Sequence, residues 1–206
     1  MEGPHMGSDL THLLEGVALG SGASQADLAR LQASWPWLPT DYLACLSTVD
    51  GCEGYIGGRA YLRLWSAEEA LRFNAAYKIP EFLPSSFLFG TDASAMGYCF
   101  DQRHSTRVLS VELAALDDEY LTPVADTFPA FVRYLAEDAS WPAVPKGQWG
   151  PPPHLRGHVL HEKHPVVMGG AVDDASNRVL VAVDQHPEMM VFWARTLRSV
   201  RARTRS

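Results

Sequence analysis

The chain has 206 residues, 47% hydrophobic and 20% charged, with a formal net charge of -7; that is enough apolar material for one domain, or one domain with an appendage, and too much for global disorder. No run approaches the roughly 18 uninterrupted apolar residues of a membrane-spanning helix, and no basic-then-apolar leader opens the chain, so a soluble, cytoplasmic protein without membrane contact is expected. Residues 1–153 hold 9 Lys and Arg against 19 Asp and Glu, and residues 154–206 hold 8 against 5; this acidic body with a mildly basic tail argues against nucleic acid as the partner and suits a cationic protein.

The opening MEGPHMGS has the character of a tag remnant, so residues 1–8 are set aside from the fold. Leu10 to Leu19 reads as a short helix stopped by Gly20 and Gly22. Ser24 is placed to cap the next helix, with Asp27 three positions on and Leu28, Leu31 and Trp35 at helical spacing before Pro36 ends it. Thr40 is a second N-cap candidate, with Asp41 at the positive end of the helix dipole and Tyr42, Leu43, Leu46 and Val49 along one buried side. Glycines 51 and 54 turn the chain into Tyr55 and Ile56, and Tyr61 to Trp65 forms a strand.

Ser66 caps a helix carrying Glu68 and Glu69 in its first turn. Pro80 and Pro84 bracket an irregular crossing. Phe87 to Phe89, Met96 to Phe100 and Arg107 to Leu113 read as strands joined by short turns, which favours an antiparallel or mixed sheet. After the acidic loop Asp117 to Glu119, Thr127 caps a helix with Phe128, Phe131, Val132 and Leu135 inward. The expected class is α+β, a mixed, largely antiparallel sheet flanked by helices over residues 9–139.

The segments LPTDYLACLSTVDGCEG, LWS with EEALRFN, FLPSSFLFGTDASAMGYCFD and DTFPAFVRYL, spread over residues 28–138, resemble in their order the SUKH superfamily in its Smi/Knr-type branch. The resemblance implies an α+β domain without transferable catalytic residues. It also implies a place among bacterial immunity proteins that neutralise a cognate polymorphic toxin, or among fungal cell-wall regulators. The chain departs from the pattern at Asp50-Gly51-Cys52, where an asparagine often precedes paired glycines, and at Ala93-Ser94-Ala95, where a glycine and an acidic residue are common.

Residues 140–153 are rich in Pro, Gly and Trp and read as an extended linker. Residues 154–206 read as a small ββα subdomain: strands at Val166–Met168 and Val179–Val183 around the turn 173–177, then a helix capped by Asp184 or His186 with Met189, Trp193, Leu197 and Val200 on one face. His154, His158, His161 and His164 invite a metal hypothesis, but Gly157 and the surrounding prolines break helical spacing, and HEKH is one residue short of the metalloprotease motif. Cys45, Cys52 and Cys99 have no zinc-ligand spacing and read as reduced, buried thiols; Cys99, Asp101 and His104 are near in sequence, but a nucleophile needs a base placed in space, and alternation says only that Cys99 sits in a strand opposite in sense to Tyr98 and Phe100. Arginines 195, 198, 201, 203 and 205 suit the solvated negative end of the last helix. No cofactor and no metal are expected.

The function that follows is a non-catalytic immunity protein binding a basic toxin stoichiometrically. The alternatives are a regulatory or scaffold protein and, more remotely, an enzyme seated in the histidine-rich tail. Candidate partner-binding residues are the carboxylates of Asp50, Glu53, Asp92, Asp101, Asp117, Asp118 and Glu119, with Tyr55 and Trp65 as aromatic anchors. Each also has an ordinary reading as turn chemistry or core packing.

Overall fold

The computed structural model of the chain describes residues 10–204 apart from 11, 15, 105 and 173. The opening segment 1–8, Asp173 of the tail turn and Arg205 lie outside the described residues.

Seven strands, β1 (Ala18–Leu19), β2 (Cys52–Tyr55), β3 (Tyr61–Leu64), β4 (Ser86–Thr91), β5 (Met96–Asp101), β6 (Val108–Glu112) and β7 (Thr122–Ala125), form one sheet. They pair in chain order and every pairing is antiparallel. No single helix runs over the described residues of the Leu10 to Leu19 segment. A 3-10 turn at His12–Leu14 passes through Gly16, at φ +87°, into β1, where Ala18 and Leu19 face Glu53 and Cys52.

The helices follow their local signals with one exception. Ser24 caps α1 (Gln25–Ser34) through the amide of Asp27, and Ser66 and Glu69 close a reciprocal capping box on α3 (Ala67–Ala76). Thr127 caps α5 (Phe128–Glu137) through the Ala130 amide. For α2 (Thr40–Thr48) the cap position is Pro39 and Thr40 already lies inside the helix; the Asp41 carboxylate instead accepts the Tyr42 amide at 2.8 Å. The crossing is ordered as a single turn, α4 (Ile79–Phe82), which contains Pro80 and ends before Pro84, with Lys78 held left-handed at φ 57° before it.

One face of β4 and β5 is aromatic, and α2 and α5 close over it. Tyr42 lies at its centre, with ring centroids 5.2 Å from Phe100, 5.4 Å from Phe128, 5.6 Å from Phe89 and 6.3 Å from Phe87. The β4–β5 register shifts between Leu88 and Gly90, and the amide and carbonyl of Leu88 turn to α3. Buried Asn74 of α3 satisfies both groups, accepting from the amide at 3.0 Å and donating to the carbonyl at 2.7 Å.

Beyond α5, Trp141 to Gly150 runs without regular structure along the β2–β3 end of the sheet. Tail strands β8 (His158–Glu162) and β9 (Arg178–Ala182) form a separate antiparallel pair, and α6 (His186–Thr204) ends the chain. Two tail expectations are corrected here. Val166–Met168 is a 3-10 turn, opened by Pro165 and closed by Gly169 at φ +94°, and the strand lies earlier, over the histidines. The most buried residues of α6 are His186, Met190, Val191 and Ala194; of the expected face, Met189 and Trp193 are partly buried against the core, Leu197 is half-buried and Val200 is exposed. The rotation is set by His186, which is inserted against the hydroxyl of Tyr77 at 2.8 Å. Asp184 pairs with Arg72 of α3, and Arg195 with Glu81, fastening α6 to the body.

Candidate functional site

The candidate partner-binding residues fall in three separate places. Those on β2 and β3 share one half-buried sheet face. Alternation along the two strands buries Cys52, Gly54, Leu62 and Leu64 and leaves Glu53, Tyr55, Tyr61 and Arg63 half-buried on the other face. The register sets Glu53 opposite Arg63 and Tyr55 opposite Tyr61. The Tyr61 hydroxyl donates to Glu53 at 2.9 Å, and the Tyr55 and Tyr61 rings meet edge to face at 5.0 Å. Burial, then the Glu53 charge, raises the Tyr61 phenol, so it stays a donor.

Asp50, at the start of this hairpin, accepts the Ala67 amide at 2.7 Å and so tethers α3. Its carboxyl is raised by burial and by the charges of Asp27, Glu69 and Glu68, against the Ala67 bond that lowers it. Arg63 stands 3.6 Å from Glu69 as the hairpin's local cation. A shallow groove of about 250 Å³ runs over Asp50, Glu53, Arg63 and Glu69. On the other side of Tyr55 a groove of about 540 Å³ is walled by Val144, Pro145, Gln148 and Pro152.

Trp149 holds that second wall in place. Its carbonyl accepts the Tyr55 amide at 2.7 Å, its indole donates to the Val144 carbonyl at 2.9 Å, and its ring covers Gly58. Gly58 sits at φ +71°, and a Cβ there would come within 2.4 Å of the indole nitrogen.

The second place is closed by arginines. Asp101 is fully buried and takes three hydrogen bonds from Arg103 and one from Ser86. Burial alone would raise its carboxyl, but these bonds outweigh burial and hold it below the usual range. Arg103 also grips Asp118 at 2.8 Å, Asp117 caps the turn Asp118–Tyr120, and Glu119 pairs with Arg201 of α6 at 3.1 Å. Asp101 is therefore corrected from surface contact to buried ion pair. Trp65 is corrected likewise: it is 1% exposed, packed on Phe73 and Tyr77 at 4.8 and 6.0 Å.

Asp92 occupies the third place, the β4–β5 turn. It accepts the amides of Ser94 and Met96, and burial pushes its carboxyl up to about 6 despite them. The next residue, Ala93, is left-handed at φ 58°, and its carbonyl accepts from Leu160 of β8 at 2.9 Å. This loop is thus a seat for the tail. A water-sized cavity lies in the same seam, between Ser94, Glu112, His161, His186 and Met190.

The residues that complete the open hairpin face, Tyr61, Arg63 and Glu69, were not singled out in the sequence, although the period-two alternation of CEGY and YLRL carried the signal. The Cys99 thiol is buried and raised, with Asp101 committed to Arg103, so Cys99, Asp101 and His104 do not assemble as a nucleophile and its base. Among the described residues no group of three or more His, Cys, Asp or Glu is placed to hold a metal ion, and no helix is long and apolar enough to cross a membrane.

The model of the SMI1 / KNR4 family (SUKH-1) matches residues 22–134, from α1 through most of α5. The chain belongs to this family. The SUKH-1 match includes the whole β2–β3 face and both acidic turns, while the Trp149 strut and the ββα tail lie outside it. None of the curated proteins compared matches the chain. Among solved structures, the crystal structure of Atu4351 from Agrobacterium tumefaciens is similar at 13% identity over 86% of each chain, with a TM-score of 0.49.

Proposed function

We propose that this SUKH-1 protein is a cytoplasmic immunity protein of bacterial competition, acting without catalysis and neutralising a cognate basic toxin by stoichiometric binding. Family membership supports the class of function. The observation that carries the reading to a surface is the β2–β3 face, where Asp50, Glu53 and Glu69 surround one arginine beside the half-buried Tyr55. Elsewhere the acidic turns are engaged: Arg103 holds Asp101 and Asp118, and Arg201 holds Glu119. The hairpin carboxylates set encounter rate and register, and Tyr55, which lines the larger groove, is the anchor. Engagement of Asp101 by Arg103 and burial of Cys99 support a binding rather than a hydrolytic role.

The test is co-expression and size-exclusion chromatography with the toxin encoded by the adjacent gene. A one-to-one complex and rescue of growth are expected, with the pair Glu53→Lys and Tyr55→Ala weakening binding by at least about tenfold while the fold survives. Absence of both complex and rescue for the wild-type chain refutes the proposal.

A further inference from the structure

The outer edge of β9 is open. Within the β8–β9 pair the register sets Leu160 opposite Leu180, and the bonds from the Lys163 amide to the Asn177 carbonyl at 2.7 Å and from the Val183 amide to the Gly157 carbonyl at 3.1 Å fix the phase of the ladder. Residues 179 and 181 therefore direct their backbone groups at β8, and residues 178, 180 and 182 direct theirs away from it. The outer edge of β8 is engaged, since the Leu160 amide donates to the Ala93 carbonyl at 2.9 Å. On β9, the Arg178 amide is taken by the Ala175 carbonyl and the Ala182 carbonyl by the Gln185 amide. Four groups of this edge have no hydrogen-bond partner among the described residues: the Arg178 carbonyl, the Leu180 amide and carbonyl, and the Ala182 amide. Arg178 is exposed, and Val179 and Leu180 are 38% and 42% exposed, so a partner can reach them.

We propose that β9 pairs with β9 of a second copy about a two-fold axis at Leu180, joining two hairpins into one four-stranded antiparallel sheet. At that axis each Leu180 amide meets the Leu180 carbonyl of the other copy, and each Arg178 carbonyl meets the other copy's Ala182 amide, so all four groups are used. A two-fold interface requires this kind of self-match. The ends of the edge select the occupant. The Arg178 amide comes opposite the Ala182 carbonyl of the second copy, and both already have their bonds within their own chains. A foreign strand would lay a carbonyl and an amide against these two taken groups, with no partner for them in the sheet. Val159, His161 and Val181 are buried on the inner face, while Leu160 and Leu180 share the outer one. The axis extends that pair into a row of four leucines across the joined sheet.

Five residues of one edge span about 17 Å, a small interface, so the dimer is weak and concentration-dependent. The hairpin lies outside the SUKH-1 match, so the pairing belongs to the tail of this chain.

Sedimentation velocity of the full chain from about 5 to about 500 µM tests this, with circular dichroism to check the fold of each variant. A weight-average mass rising from monomer towards dimer is expected, with hydrogen exchange of the Leu180 and Ala182 amides slowing as the dimer forms. Leu180→Glu and Leu180→Lys each set like charges against one another at the axis and should weaken association at least about tenfold, while an equimolar mixture of the two should restore it. A wild-type chain that stays monomeric throughout overturns the proposal. So does a dimer whose Leu180 and Ala182 amides exchange as fast as in the monomer, or a mixture that associates no better than its components. Exchange slowed at these amides by the toxin in a monomeric wild type would assign the edge to the toxin and equally overturn it. Toxin binding by the β2–β3 face is untouched by these results.

Discussion

Acidification should loosen the seat of α6, and His186 is where the effect is largest. The ring is 1% exposed, shares a 2.8 Å hydrogen bond with Tyr77, and lies 5.5 Å from the equally buried His161, whose two ring nitrogens have no hydrogen-bond partner among the described residues. Burial, and then His161, push His186 down to about 3 from an ordinary 6.5, and burial lowers His161 too. A histidine whose folded pKa is depressed contributes its full stability above pH 6.5. That contribution declines as the pH falls below 6.5 and levels off near pH 3. At about pH 5, roughly 1.5 pH units into that window and at about 1.4 kcal/mol per unit, the loss from His186 is about 2 kcal/mol.

Asp92, raised to about 6, and Glu112, also raised by burial, border the same seam and act in the opposite sense, gaining as the pH falls. The wild-type profile is therefore flattened, and the decisive quantity is the difference from a variant without the titrating ring. His186→Phe leaves the Tyr77 hydroxyl unpaired and should cost about 1–3 kcal/mol at about pH 7.5. It also removes the acid loss, so the gap in urea-unfolding free energy should close by about 2 kcal/mol on moving to about pH 5. A gap that stays constant within about 0.5 kcal/mol over that range would refute the assignment of His186 as a neutral, buried strut.

Two further outcomes follow from the backbone. Gly58→Ala forces a side chain into a left-handed position and onto the indole of Trp149; a loss of about 2 kcal/mol or more in chemical unfolding is expected, with faster proteolysis of the Trp141–Pro153 segment as the Trp149 contact fails. Lys78→Gly relieves the exposed left-handed residue between α3 and α4, and should raise stability by about 1 kcal/mol and the melting temperature by about 2–4 °C in a scanning calorimeter.

Much of the candidate site was legible in kind but not in place. The acidic turns and the tyrosine at 55 were visible because turns and charges are local. Their availability was not, since the arginine that neutralises Asp118 lies fifteen residues away and the one that neutralises Glu119 comes from the far end of the chain. Asp101 looked like a surface turn residue because burial depends on what covers it, and what covers it is its own Arg103 folding back. The open face on β2 and β3 needed the pairing register before Glu53 and Arg63, or Tyr55 and Tyr61, could be seen as neighbours.

By itself the sequence determined the elements whose causes are local. Ser24, Ser66 and Thr127 cap helices because the hydrogen bond spans three residues, and the apolar runs at Phe87 and Met96 become strands because a short turn joins them. It also carried enough ordered detail over residues 28–138 to resemble the SUKH superfamily. Only the tertiary structure decided the rest. Ala18–Leu19 is a strand solely because Cys52–Glu53 offers an edge, and Thr122–Ala125 solely because β6 does. His158–Glu162 is a strand although the more apolar Val166–Met168 is not, because proline and glycine enclose the latter while the former finds β9 and the Ala93 carbonyl. The rotation of α6 was fixed by one buried histidine meeting one tyrosine, 109 residues apart. Non-local partners have no period in the sequence, and here they set which carboxylates remain open to a partner.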